Sequence, residues 1–290
     1  MENPGPQKQS AILLISCPDQ KGIVAAITKF LYDNAGNIIR LDQHVNMQEN
    51  IFLSRVEWDL QGFAIPREQI AASLSELMQK FNSKYELHFS DFVPQVAIFV
   101  SKLTHCLYDV LSRYREGEWN ISIPLVISNH PDADSIVKKF GINYFVFEIN
   151  DDNKQEQERK QLELLKAHDI NFIVLTRYMQ ILSPEFIAHY PNKIINIHHS
   201  FLPAFPGAKP YHSAYDRGVK IIGATSHYVT SDLDGGPIID QDIVRVSHQH
   251  SITDFIRKGR DLEKIVLARA IWYHLQHKVL VYKNKTVVFD

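Results

Sequence analysis

The stretch INIHHSFLPAFPG, Ile195 to Gly207, closes an apolar run with a carboxamide and two imidazoles. Side chains alternate along an extended chain, so Asn196 and His198 face one way, about 7 Å apart, and His199 faces the other. An amide N–H and an imidazole so placed can hold a developing oxyanion. His199 reads as a packing or hydrogen-bonding residue. A second stretch, TSDLDGGPII, puts Asp232 and Asp234 ahead of Gly235 and Gly236. The glycines permit a tight turn and a close backbone approach. A carboxylate there, set beside an imidazole, would raise its pKa and fix its orientation. Thr225 and His227 share a face of the preceding strand and read either as support for Asp234 or as core. On spacing alone, a structural histidine and an Asp-capped turn remain open for the two stretches. H-E-x-x-H, C-x-x-C and clustered-carboxylate motifs are absent, so no metal site is expected, and there is no G-x-S-x-G nucleophile elbow. The chemistry left is acid–base and electrostatic.

Two patterns of elements must position these groups, and they change near Pro94. Before it, AILLISC, NIIRLDQHV, IFLSRVEWDL and YELHFS read as strands, and KGIVAAITKFLYDNAG and REQIAASLSELMQKF as amphipathic helices. Gly36 stands where a helix C-cap belongs. Phe52, Val56, Trp58 and Leu60 share one face of the third strand, with Arg55, Glu57 and Asp59 on the other. The order βαββαβ is the ferredoxin-like pattern. From VAIFVS onward, short apolar strands alternate with helices, the mark of a parallel sheet covered on both faces. KIINIHH ends at the carboxyl side of that sheet, where open α/β folds bind ligands. KIIGATSHYVT and PIIDQDIVRV follow, then a long helix over about 251–277. The expected domains are 8–90, a linker 91–94, and 95–290.

The chain has 290 residues, 45% hydrophobic and 22% charged, with a net charge of −2. That balance disfavours nucleic acid or an anionic membrane as partner. Cys17 and Cys106 are too few for a disulfide framework, which fits a reducing cytoplasm. The first ten residues are polar with two prolines, unlike a signal peptide. No apolar run approaches the roughly 20 residues of a membrane span.

Taken together, INIHHSFLPAFPG and GATSHYVTSDLDGGPII resemble the formyltetrahydrofolate-dependent formyltransferase family, over about 96–290. The resemblance implies a Rossmann-like α/β domain with Asn196, His198 and Asp234 as catalytic groups. It implies 10-formyltetrahydrofolate as substrate, with no tightly bound cofactor. RYMQIL, Arg177 to Leu182, is similar to the family's pterin-lining segment, and the implied folate contacts are Leu175, Met179, Gln180, Ile181, Leu182 and Leu233. PDQKGIV and GNI resemble an ACT domain. That implies a homo-oligomer, dimer or tetramer, and a small amino-acid effector such as glycine or methionine near Asp19, Gly22 and Asn37. The tandem implies transfer of the formyl group to water, giving formate for purine synthesis and balancing the one-carbon folate pool. Thr176 and Lys102–Thr104 depart from the family's Ala and Lys-Glu-Gly and leave local loop contacts open. Ser101 to Leu111 holds no glycine, so the backbone cradle of phosphate-binding members is missing. Lys102 and His105 read as an anion contact or as plain surface. Formyl transfer to a small amine, and a non-catalytic folate or amino-acid sensor, are the rival readings.

Overall fold

The computed structural model describes residues 9–204 and 210–290. The expected boundary at residue 8, and Pro206 and Gly207 of the loop after the polar strand end, lie outside them. The chain divides into two compact units. One runs up to Phe92 and takes in Gln276–Tyr282 and Val287–Asp290; the other spans Val93–Leu275 with Lys283–Thr286.

The first unit runs β1 (Ser10–Pro18), α1 (Ile23–Asp33), β2 (Asn37–Asn46), β3 (Ile51–Asp59), α2 (Arg67–Lys80) and β4 (Lys84–Phe89). Its antiparallel sheet has the order β2-β3-β1-β4, which fits an ACT-like domain. Four-residue spacing turns Ile23, Ile27 and Leu31 of α1, and Ile70, Leu74 and Met78 of α2, to one stripe each. Both stripes meet the sheet face that carries Leu13, Ile15, Val56 and Trp58.

Helix α1 ends differently from the Gly36 C-cap expected. Ala35 takes the left-handed conformation, with φ 57°. The amides of Ala35 and Gly36 bond to the carbonyls of Tyr32 and Leu31 at 3.1 and 2.7 Å, a Schellman closure. Gly36 sits in tight space instead, since a Cβ there would stand 3.0 Å from the Phe63 ring and 3.1 Å from the Leu31 carbonyl oxygen.

The far face of this sheet is covered by the end of the chain. Leu14 and Leu53 pack with Leu280 and Phe289. Arg55 is 2% exposed, and its guanidinium donates to the carbonyls of His277 and Gln276 at 3.1 and 3.2 Å and to Glu57 at 2.9 Å. A buried guanidinium needs such acceptors, and this is why residues that follow the last helix in sequence belong to the first unit.

The second unit holds β5 (Gln95–Val100), α3 (His105–Arg115), β6 (Ser122–Ser128), α4 (Asp134–Lys138), β7 (Asn143–Val146), α5 (Lys154–Ala167), β8 (Phe172–Thr176) and α6 (Pro184–Ala188). After these come β9 (Ile194–His198), α7 (Pro210–Arg217), β10 (Ile221–Tyr228), β11 (Ile238–Arg245) and α8 (Ile252–Leu275). The sheet order is β11-β10-β9-β8-β5-β6-β7. β9 to β7 are parallel, and β10 is antiparallel to both neighbours. The order reverses at β5, between β8 and β6, which puts a ligand crevice at the carboxyl ends of these strands. Helix α7 and a final hairpin, β12 (Val279–Tyr282) with β13 (Lys285–Val288), carry no clear period and go unread in the sequence. No described helix is long and apolar enough to cross a membrane.

Candidate active site

Strand β9 delivers Asn196 and His198, and the β10–β11 loop delivers Asp234. His198 Nδ1 lies 3.2 Å from Asp234 Oδ1. His198 is 6% exposed, and its Nε2 is buried with no hydrogen-bond partner among the described residues. A buried polar nitrogen without a partner is costly unless something binds there. The His198 hydrogen bond holds the Asp234 carboxyl below its ordinary pKa, against the opposing pull of burial. At neutral pH Asp234 is a carboxylate.

His227 is the third nitrogen-bearing side chain at this point. Burial pushes its imidazole pKa down, opposed by its bond to the Tyr228 carbonyl. Its Nδ1 lies 2.9 Å from that carbonyl, so the neutral ring carries its proton there and Nε2 accepts. The Asn196 amide lies 3.2 Å from Nε2, and Asp234 3.8 Å. One Asn196 N–H thus goes to His227. His227 supports Asn196 first and Asp234 only at longer range.

Thr225 does something other than support Asp234. Its hydroxyl donates to the Ser200 carbonyl at 2.8 Å and accepts from the Leu202 amide at 3.0 Å and Gln241 Nε2 at 2.9 Å. It fixes the chain leaving β9, directly after His198. Gln241 also donates to the Leu202 carbonyl at 3.1 Å, a role invisible in the sequence.

The glycines of the Asp234 loop divide their work. Asp234 itself takes the left-handed conformation, with φ 53°. Gly236 is where backbone meets backbone: a Cβ there would fall 1.8 Å from the Tyr228 carbonyl oxygen.

The expected folate contacts separate into two groups. Leu175 and Leu182 are committed to the core with Phe99 and Phe186. Met179, Ile181 and Leu233 are exposed apolar side chains, and Gln180 is half-buried. The segment between is pinned at both ends. The Met179 amide donates to Ser101 Oγ at 2.9 Å, and the Ser183 amide to Glu158 at 3.0 Å. A cleft of about 550 Å³ opens beside Asp234 and takes in Leu233.

His105 belongs to neither of its expected roles. With Glu263 of α8 it forms a buried cluster that the sequence did not disclose. Glu263 is 1% exposed and accepts from Tyr211 at 2.6 Å and from His105 at 2.8 Å, with Arg177 Nε at 3.6 Å. Burial would push its carboxyl up, but the His105 bond and the Arg177 charge outweigh it and the net direction is down. Burial drives the Cys106 thiol and the Tyr211 phenol well above their ordinary values, so both stay protonated. His105, Cys106 and Glu263 hold ligand-type atoms within 4.8 Å of one another. The cation there is already the protein's own Arg177. Asp19 lies in the β1–α1 turn with Gly22, and Asn37 begins β2; no hydrogen bond joins these three among the described residues.

Residues 94–271 match the formyl transferase family model. A formyltetrahydrofolate deformylase of Synechocystis is 55% identical over 98% of this chain and 99% of its own length. The chain belongs to the formyltetrahydrofolate deformylase family. The crystal structure of a deformylase from Pseudomonas syringae pv. tomato superposes with a TM-score of 0.96 at 41% identity, covering 99% of this chain and 96% of that one. Glycinamide ribonucleotide transformylase 1 of Symbiobacterium toebii gives 0.65 at 26% identity, covering 71% of this chain and 98% of that one. Deformylases are matched end to end, whereas the transformylase accounts for only part of the chain.

Proposed function

We propose that this chain hydrolyses 10-formyltetrahydrofolate to formate and tetrahydrofolate, with Asn196, His198 and Asp234 as the reacting groups. The observation that carries the reading is the His198–Asp234 pair, with the far ring nitrogen of His198 buried and unpartnered among the described residues and the Asn196 amide on the same strand. Asp234 Oδ2 takes a proton from water as the water oxygen attacks the formyl carbon. The carbonyl electron pair moves to oxygen, and this oxyanion is met by Asn196 N–H and by a proton carried on His198 Nε2. Oxyanion donors of this kind contribute about 2.7–4 kcal/mol each. The intermediate then collapses: the C–N10 bond breaks, N10 takes the proton held by Asp234, and formic acid leaves and gives its proton to solvent as formate. The enzyme is on this reading a hydrolase of a linear amide bond. Formate release from 10-formyltetrahydrofolate without any amine tests it. Release that needed an added amine would favour a transferase, and none at all would favour a sensor.

Met179, Ile181 and Leu233 supply apolar contact for the folate. For the first unit we infer an amino-acid site near Asp19, Gly22 and Asn37 and a homo-oligomer, supported by the ACT-like sheet order. Calorimetric titration with glycine and with methionine tests the site, and a flat titration with both removes it. The two buried free thiols support a reducing compartment.

A further inference from the structure

We propose that Lys285, in the terminal β12–β13 hairpin, is the cation that receives the glutamate carboxylates of the folate substrate. The inference deepens the hydrolase reading and rests on it. In 10-formyltetrahydrofolate the formyl-bearing nitrogen is bonded directly to a p-aminobenzoyl ring, and the far end of that ring carries glutamate. With the formyl carbon held at Asp234, the ring and its anionic tail must leave along a surface that begins at Asp234. The cleft of about 550 Å³ is such a surface, and it is of the size that binds small organic ligands. Leu202, Pro203, Leu233 and Ile238 give it apolar walls suited to an aromatic ring, and Lys285 is the one cation among the described residues lining it.

The backbone of Lys285 is held near the Asp234 loop by its two neighbours. Asn284 Nδ2 donates to the Gly235 carbonyl at 2.8 Å, and Thr286 Oγ1 donates to the Ile238 carbonyl at 2.5 Å. The hairpin turn is thus fastened to both sides of the loop that carries Asp234. The match to the formyl transferase model ends at residue 271, so the hairpin lies outside the matched segment. A pterin carries no anion for a lysine to pair with; the glutamate tail does.

Steady-state formate release is measured for the parent, Lys285→Ala, Lys285→Glu and Lys285→Arg, on 10-formyltetrahydrofolate and on the analogue lacking glutamate, 10-formyltetrahydropteroate. Lys285→Ala is expected to raise KM for the glutamate-bearing substrate about 3-fold with kcat unchanged, the scale of a solvent-accessible ion pair. Lys285→Glu should raise it further, and Lys285→Arg should restore it. On the glutamate-free analogue all four proteins should share one KM. An unchanged KM in Lys285→Ala, or an equal rise on both substrates, overturns the proposal. Equilibrium binding of 5-formyltetrahydrofolate, which has the same tail, separates the two levels of inference. A parent that binds it but releases no formate sinks the hydrolase reading alone, with Lys285 judged on affinity; a parent that does neither sinks both.

Discussion

His198 Nδ1 and Asp234 Oδ1 meet at 3.2 Å, while the opposite nitrogen of the same ring is buried without a partner among the described residues. The ring is therefore anchored at one end and chemically available at the other. Asp234→Asn keeps an oxygen to accept from His198 and loses the ability to take a proton. It should lower kcat for formate release by about 10²- to 10⁴-fold with little change in KM. Native turnover in this variant would remove Asp234 from the mechanism.

The same pair predicts a titration. His198 lowers the Asp234 pKa, so its contribution to stability is complete above the unfolded carboxyl value and is lost as pH falls through the lowered folded value. Carboxyl carbon shifts followed by NMR in labelled protein should show Asp234 titrating higher in His198→Ala than in the parent. Equal titration in both would mean that the hydrogen bond does not form in solution.

His227, neutral and bonded to both the Tyr228 carbonyl and the Asn196 amide, acts through Asn196. Asn196→Ala should cost about 10²- to 10³-fold in kcat, and His227→Ala a smaller factor. The double variant should be no slower than Asn196→Ala alone, because residues in one hydrogen-bond chain are not additive. Additive losses would give His227 an independent role.

Much of the site was legible because its chemistry is local in sequence. Asn196 and His198 alternate on one strand, and Asp234 precedes a glycine pair. The support was illegible because it is assembled from single residues far apart. Glu263 is one acid in a helix with many charges, and nothing nearby marks it as buried under Tyr211 and His105. Arg55 lies among Glu57 and Asp59 in a pattern that reads as an outward face, and its buried guanidinium bonds to the returning carbonyls of Gln276 and His277, far off in sequence. The strand order could be anticipated from alternation, whereas the terminal hairpin is too short to show a period.

The Glu263 cluster should be a stability element. Glu263→Ala leaves the Arg177 charge buried and unpaired, a loss of about 3–5 kcal/mol in urea denaturation at pH 7. Because the folded carboxyl sits below its ordinary value, the contribution of Glu263 is present above the unfolded pKa. The deficit of Glu263→Gln should accordingly shrink as pH drops through the folded value. Gly259→Ala should act on the same cluster, since its Cβ would lie 2.2 Å from the Tyr211 ring and force the phenol off Glu263.

The last prediction separates two adjacent glycines. At Gly236 a Cβ would collide with the Tyr228 carbonyl at 1.8 Å, an atom held by the backbone; at Gly235 its nearest neighbour would be the Asp232 Cβ at 3.0 Å, with the Asp232 carbonyl oxygen at 3.4 Å. The Tyr228 amide is tied to the Pro237 carbonyl at 2.9 Å, so the collision cannot relax without moving the loop that holds Asp234. Gly236→Ala should therefore lose more than about 1 kcal/mol of stability and most of its formate release. Gly235→Ala should keep the larger part of both. Equal damage at the two positions would mean that the turn needs glycine for its flexibility, and the close backbone contact would not be what sets the position of Asp234.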